Sequence, residues 1–404
     1  MSPHARFLAW FAAAAALFAA PLALNYAVIV RSGELEPLEQ VAAELERDGA
    51  IYGSGLHDTR AELPLTLIRR HAPEVMALGS SRPYDFRSEY FTRPFACACG
   101  TMDSIEDGES FADLVLQTAR PKLVLLAADF WWFTVREPHR RSPINLETTA
   151  QLTRAKLLRP FEWLREGTIT PRDYLRLLGG SRDLHGVIRR PKIGVMAIKR
   201  GIGVRADGTI LHGVRLIPEG LKFYAPIRYP LVEPMKYVMT EPRRRGEHSR
   251  FGPDNVVVPE RLAALDRVVA KFRAAGAHVI VFLPPVAPGI ARAMAESGRH
   301  GFMQDLDRQL RSRGFEYYNF HDPSALGADA CEFSDAYHSG NVVFMRMLRA
   351  MLQMNPSSPL AAYVDRAMLD DGIRRFAGRT IAGFGADAGL PPELDYLQLG
   401  CKRP

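Results

Sequence analysis

From Phe7 to Val30 the chain carries no charged side chain, and this stretch constrains the fold more than any other. It exceeds the roughly 20 apolar residues that cross a bilayer, where every backbone N–H and C=O must be satisfied within the segment, so it must be a helix. Pro21 and Asn25 are tolerated in such a helix. Arg6 and Arg31 bracket it, and Glu34, Glu36, Glu39, Glu44 and Glu46 follow. Positive charge on the short leader predicts an inside amino terminus and an exported main domain. The small residues of Ala19-Ala20-Pro21-Leu22-Ala23 would also suit signal cleavage, but the apolar run is longer than a usual signal core. The reading is an uncleaved, single-pass anchor.

Beyond the anchor, periodicity alternates between strand and helix. Leu35 to Arg47 has helical spacing. Glu74–Gly79, Phe95–Gly100, Lys122–Asp129, His278–Leu283 and Phe315–Phe320 read as short strands. Lys122–Asp129 is almost continuously apolar, as expected of a parallel strand buried on both faces. Helical patterns lie over Gly108–Ala119, Pro259–Ala274, a stretch up to Arg313 broken near Gly298, and Asn341–Met354. This order predicts an α/β fold, a parallel sheet with helices on both faces. Between 137 and 250 the rhythm breaks. Arg154–Leu178 reads as basic helix, and Asp207-Gly208 as the turn of a hairpin. We therefore divide the chain into a leader (1–6), anchor (7–30), juxtamembrane helix and linker (31–70), core (71–136), mixed insertion (137–250), second core part (251–355) and tail (356–404). The insertion is expected over the active-site side of the sheet.

The net charge of +7 collects in Arg189-Arg190-Pro191-Lys192, Lys199-Arg200 and Arg243-Arg244-Arg245. No aromatic-interleaved basic repeat accompanies it, so a membrane surface or acidic glycan is a better partner than nucleic acid. Four cysteines give neither a disulfide framework nor zinc-finger spacing. Cys97 and Cys99 share a strand face and are not expected to bond each other; pairing with Cys331 or Cys401 stays open. No spacing suggests a metal site and no glycine-rich loop suggests a phosphate cofactor.

Chemistry concentrates at two places. Gly79-Ser80-Ser81-Arg82 ends the first core strand, and a small-residue turn there exposes a serine where ligands collect in open α/β sheets. Far downstream, Asp335-Ala336-Tyr337-His338 places a carboxylate and an imidazole three residues apart, on one side of a helical turn. A carboxylate that orients an imidazole, and an imidazole that takes a serine proton, make up a nucleophilic relay. Either fragment alone is commonplace: Gly-Ser-Ser is a frequent turn, and the aspartate could cap the helix after Gly340.

Together, in this order, the two blocks resemble the SGNH hydrolase superfamily. Behind an N-terminal anchor they look most like the membrane-anchored proteins that help acylate cell-envelope polymers, among them the alginate O-acetylation proteins and the D-alanyl lipoteichoic acid transfer protein. The resemblance implies a three-layer, flavodoxin-like parallel sheet. It implies Ser81 as nucleophile in preference to Ser80, His338 as base and then acid, and Asp335 as its orienter. It also implies an oxyanion hole from the backbone N–H of Ser81 and Gly100. The asparagine expected after the third strand is missing, and Asp129-Phe130 stands in its place; Asp129 reads as structural. Arg82, Trp131 and Trp132 are possible substrate contacts, with core packing as the other reading of the tryptophans. His321-Asp322 reads as a cap ahead of Pro323.

The expectation is a serine acyltransferase or esterase, with acetyl as the foremost acyl group. It would act on an exopolysaccharide or cell-wall glycan at the periplasmic face of a bacterial inner membrane, without a cofactor. An integral-membrane O-acyltransferase is a partner implied by resemblance. The alternative is a non-catalytic, anchored binding or scaffold subunit of a polysaccharide assembly complex.

Overall fold

The structure is a computed structural model that describes residues 2–135, 144, 146, 149, 151–213, 228–245, 250–252, 256–390 and 397–401. Of the insertion expected over 137–250, residues 137–143, 145, 147–148, 150, 214–227 and 246–249 lie outside the described residues. In chain order the main elements begin with α1 (Pro3–Arg31), α2 (Leu38–Asp48), β1 (Ile51–Tyr52), α3 (Glu62–His71) and β2 (Val75–Gly79). Next come β3 (Phe95–Cys99), α4 (Ile105–Thr118), β4 (Leu123–Ala127), α5 (Arg154–Arg165) and α6 (Pro171–Leu178). They are followed by β5 (Lys192–Ile193), α7 (Val195–Arg200), β6 (Ile202–Val204), β7 (Ile210–His212) and α8 (Pro234–Arg245). The chain closes with α9 (Pro259–Ala274), β8 (His278–Leu283), α10 (Pro288–Glu296), α11 (Phe302–Arg311), β9 (Glu316–Asn319), α12 (Asn341–Met354) and α13 (Arg366–Phe376).

Contacts divide the chain into two compact units. One contains Met1–Thr59, Leu146–Ala206 and Leu211–Val214; the other contains Arg60–Asn145, Asp207–Ile210 and Arg215–Pro404. Most of the segment read as an insertion thus folds together with the N-terminal helix.

The larger unit holds a five-stranded, all-parallel sheet in the order β3-β2-β4-β8-β9. Every residue of β2, β3 and β4 is buried, so both faces are covered, which is why these strands read as unbroken apolar runs. Pro259 and Pro288 sit in the first turns of α9 and α10, where a missing N–H costs no helical bond. Ser104 and Asp107 form a reciprocal capping box at the start of α4. The sheet reverses direction of winding between β2 and β4, since β3 lies on one side of β2 and all later strands on the other. At such a switch point the carboxyl ends of adjacent strands diverge and leave a crevice.

The C-terminal tail, unreadable in sequence, completes this unit. Asp387 is fully buried and pairs with buried Arg87 at 2.7 Å, and α13 packs on α12. A disulfide joins Cys331 to Cys401, with Cα atoms 5.9 Å apart. Cys97 and Cys99 are also joined, against expectation. The end of β3 brings their Cα atoms to 5.1 Å, within the reach of a disulfide, whereas a fully extended strand would hold them farther apart.

The smaller unit has a mixed sheet in the order β5-β1-β6-β7. The expected Asp-Gly hairpin is present between β6 and β7, with Gly208 at φ +79°. The single basic helix expected over Arg154–Leu178 is two helices, because Thr170 and Asp173 form a second capping box and restart the helix there. Val28, near the end of α1, packs with Trp163, Ile169, Leu177, Val195 and Ile198 in this unit's core. Buried Glu34 accepts from Ser54 Oγ (2.6 Å), Gly55 N–H (2.9 Å) and Val195 N–H (2.7 Å), tying the chain after α1 to β5–α7.

Candidate active site

Gly79 ends β2 where a Cβ would come within 3.0 Å of Ala127 on β4, so the strand can pass only without a side chain. The chain then turns into a short 3₁₀ helix over Arg82–Asp85. Ser81, just before that helix, points Oγ to Nε2 of His338 at 2.8 Å. Nδ1 of His338 meets Oδ2 of Asp335 at 2.7 Å. The carboxylate fixes the ring proton on Nδ1, which leaves the Nε2 lone pair to accept the serine proton. Residues 257 positions apart in the chain thus form a continuous relay.

Asp335 and His338 do not lie on a helical turn as the spacing predicts. They occupy a loop in which Asp335 Oδ1 accepts the backbone N–H of Tyr337 (2.9 Å) and His338 (2.8 Å). An aspartate that bonds the backbone two and three residues on favours such a turn over helix. Burial alone would raise the Asp335 carboxyl, but the His338 ring and the two N–H donors overcome it and hold the group down to about 2.

The loop is rigidly tethered. Ser334 N–H donates to His338 O (2.9 Å), and Gly340 N–H donates to Glu332 O (2.7 Å). The Glu332 side chain is fully buried; its two oxygens accept from Arg346 at 3.0 and 3.1 Å, and Oε1 also accepts from Gly378 N–H. On the other side, Ala287 N–H donates to Ala336 O at 2.9 Å.

Arg82, expected as a possible substrate contact, is buried beneath the site and bonded to the loop that carries His338. The side chain is 1% exposed. Its Nε donates to Tyr337 O (3.0 Å), one residue before His338, and Nη2 donates to Pro284 O (2.8 Å) and Pro285 O (2.6 Å). Nη1 meets Asp129 Oδ1 at 3.2 Å, so Asp129 has the structural role expected of it. Burial raises the Asp129 carboxyl and lowers the Arg82 guanidinium, and each charge opposes the shift of the other. Trp132, the second of the two tryptophans expected as possible contacts, is 1% exposed and packs in the core. Trp131 is 4% exposed and lies between the Arg82 and Arg250 guanidinium groups, 5.1 and 5.0 Å from its ring centre. The aromatic cluster is core, because large rings at a strand's end fill the space beneath the loops. Asp322 caps the 3₁₀ helix that starts at Pro323, as expected.

The oxyanion donors differ from expectation in one respect. Ser81 N–H has no hydrogen-bond partner among the described residues and lies beside Oγ. Gly100 N–H instead donates to Ser80 O at 2.7 Å, so it is engaged rather than open. Gly100 is at φ +74°, and a Cβ there would overlap the Tyr84 hydroxyl. Tyr84, three residues after Ser81, therefore brings an O–H donor against the glycine of the expected hole. Sequence reading missed it, although its place in the Gly-Ser-Ser-Arg-Pro-Tyr turn was the available signal. Arg250, which donates to Tyr337 Oη at 2.8 Å, was also missed.

Among the described residues no cluster of His, Cys, Asp and Glu is arranged to hold a metal ion. Compared with known protein families and with curated protein sequences, the chain matches none.

Proposed function

We propose that this protein is a membrane-anchored, exported serine acyltransferase or esterase of the SGNH type that acts on a glycan. The observation that carries the reading is the relay Ser81–His338–Asp335, with both links at hydrogen-bond distance. Its place supports the reading too. The sheet order is the flavodoxin-like one, and Ser81 follows β2, the strand at which the winding switches. α1, long and apolar, is the proposed anchor, with the main domain on the periplasmic side of a bacterial inner membrane.

In the proposed reaction, Ser81 Oγ attacks the acyl carbonyl as its proton passes to His338 Nε2. The carbonyl oxygen becomes the oxyanion, met by Ser81 N–H and the Tyr84 hydroxyl. His338 returns the proton to the leaving oxygen as the C–O bond breaks, which leaves an acyl ester on Ser81. A sugar hydroxyl or water then gives its proton to His338 and attacks that ester, and His338 passes the proton to Ser81 Oγ as its bond to the acyl carbon breaks. Asp335, ionised throughout, holds the ring and offsets its transient positive charge. An integral-membrane acyltransferase would supply the acyl group, acetyl foremost.

A second reading, an anchored non-catalytic subunit that binds glycan, draws on the engaged Gly100 amide and the missing asparagine. One oxyanion donor fewer costs roughly 10²–10³ in rate. The deciding experiment treats the purified protein with an activated serine-directed phosphonate and with p-nitrophenyl acetate, then maps adducts by peptide mass spectrometry. The enzyme reading expects an adduct on Ser81 that is lost in Ser81→Ala and His338→Ala. A folded wild-type protein that neither labels nor turns over ester would leave the binding subunit as the function.

A further inference from the structure

We infer that α5 and α6 form a lipid-contacting platform that lies in the headgroup zone of the leaflet from which α1 emerges. The inference rests on α1 spanning the membrane, as proposed above, but not on the serine chemistry.

The argument begins with where the membrane ends along α1. Over its first part this helix is bare on all sides, with Phe7, Trp10, Leu17 and Phe18 between 68% and 77% exposed. At 1.5 Å per residue, a hydrocarbon core of about 30 Å that starts near Phe7 ends roughly at Tyr26. Tyr26 is itself 49% exposed, an aromatic at the depth where such rings gather. Beside it, Asn25 is fully buried. Its amide nitrogen donates to Leu157 O on α5 (3.0 Å), and its amide oxygen accepts from Tyr174 Oη on α6 (2.9 Å). Both helices therefore touch α1 at the level of the membrane boundary.

Their surfaces suit that level. Phe161, one turn beyond Leu157, is 40% exposed, and Leu175, next to Tyr174, is 66% exposed. On α1, which packs on both helices, Leu22, Leu24 and Tyr26 are exposed as well. The same helices carry Arg154, Arg165 and Arg172, which are exposed and have no hydrogen-bond or ion-pair partner among the described residues. A helix pair with apolar side chains beside unpaired arginines is the composition of an interfacial element on anionic lipid. Asn25 now has a function: an amide at the boundary bolts the platform to the anchor where water is scarce and a polar pair is worth keeping. The arrangement would hold the smaller unit against the leaflet rather than on a free tether.

The test uses the full chain in lipid nanodiscs without any partner protein. The four cysteines form two disulfides, so one added cysteine takes a nitroxide label selectively. Labels go at Phe161→Cys and Leu175→Cys, with Leu17→Cys on α1 and Met354→Cys, 62% exposed in the other unit, as lipid and water references. Relaxation by oxygen, which enriches in lipid, is compared with relaxation by an aqueous nickel chelate. The expected oxygen-to-nickel ratio at 161 and 175 is several-fold above that at 354 and approaches that at 17. In discs containing phosphatidylglycerol it should exceed that in pure phosphatidylcholine, and Arg154→Gln/Arg165→Gln/Arg172→Gln should remove the difference. A water-like ratio at 161 and 175, with 17 in lipid, overturns this inference and leaves the anchor standing. A water-like ratio at 17 as well overturns both. A lipid-like ratio indifferent to lipid charge overturns the anionic headgroup assignment.

Discussion

Arg82→Met separates a positioning role for this arginine from a substrate-binding one. The guanidinium is buried and makes four polar contacts, to Tyr337 O, Asp129, Pro284 O and Pro285 O. Methionine keeps most of the volume but leaves the Asp129 carboxylate, 0% exposed, without its cation. Breaking a buried pair from one side costs about 3–5 kcal/mol. For a unit of this size that is a fall in Tm of about 6–20 °C. The assay is thermal unfolding of the full-length protein in detergent, followed by near-UV circular dichroism. The rate of phosphonate labelling at Ser81 is measured at a temperature where the variant is folded. Labelling should slow, because the carbonyl next to His338 has lost its tether. Adding Asp129→Asn removes the stranded charge and should recover roughly 1–3 kcal/mol, without restoring the labelling rate. If Arg82→Met leaves Tm within about 2 °C of wild type, the positioning argument is wrong. A defect confined to KM would return Arg82 to the substrate.

Two further outcomes follow from the same geometry. Gly100→Ala should destabilise by roughly 2–4 kcal/mol, from left-handed strain of about 1–2 kcal/mol plus displacement of Tyr84; Tyr84→Leu in the same chain should recover the steric part, and a denaturant midpoint unchanged by Gly100→Ala would refute the overlap. Asp335 is held at about 2, below its ordinary 3.8, so its stabilising contribution is complete above about pH 4 and is lost as pH falls through 2. Asp335→Asn should therefore flatten the acid limb of stability against pH by about 2 kcal/mol; identical acid limbs in the two proteins would show that the carboxylate is not held as described.

Local pattern and tertiary placement contributed different parts of this protein. Lys122–Asp129, His278–Leu283, Pro259–Ala274 and Asn341–Met354 were legible because a strand buried on both faces is apolar throughout, and amphipathic helices repeat at their own period. The serine turn and the Asp-x-x-His block were legible as fragments. Their meeting was expected only from the resemblance, since a contact across 257 residues is made by strand order and loop tethers rather than by either fragment's own sequence. The same limit applies to single residues. Arg82 looks available beside a serine, but only the packed sheet shows three carbonyls and a carboxylate converging on it. Cys97 and Cys99 look too far apart on an ideal strand, and the real strand end draws them together. Arg154–Leu178 lacks a breaker strong enough to announce two helices, and no periodicity reveals that Leu157 and Tyr174, near its two ends, grip Asn25. Sequence determined the long apolar helix, the strands and the chemical groups, because each depends on near neighbours in the chain. Only the tertiary structure decided which groups face one another, because burial, register and charge pairing are properties of residues that the fold, not the chain order, makes neighbours.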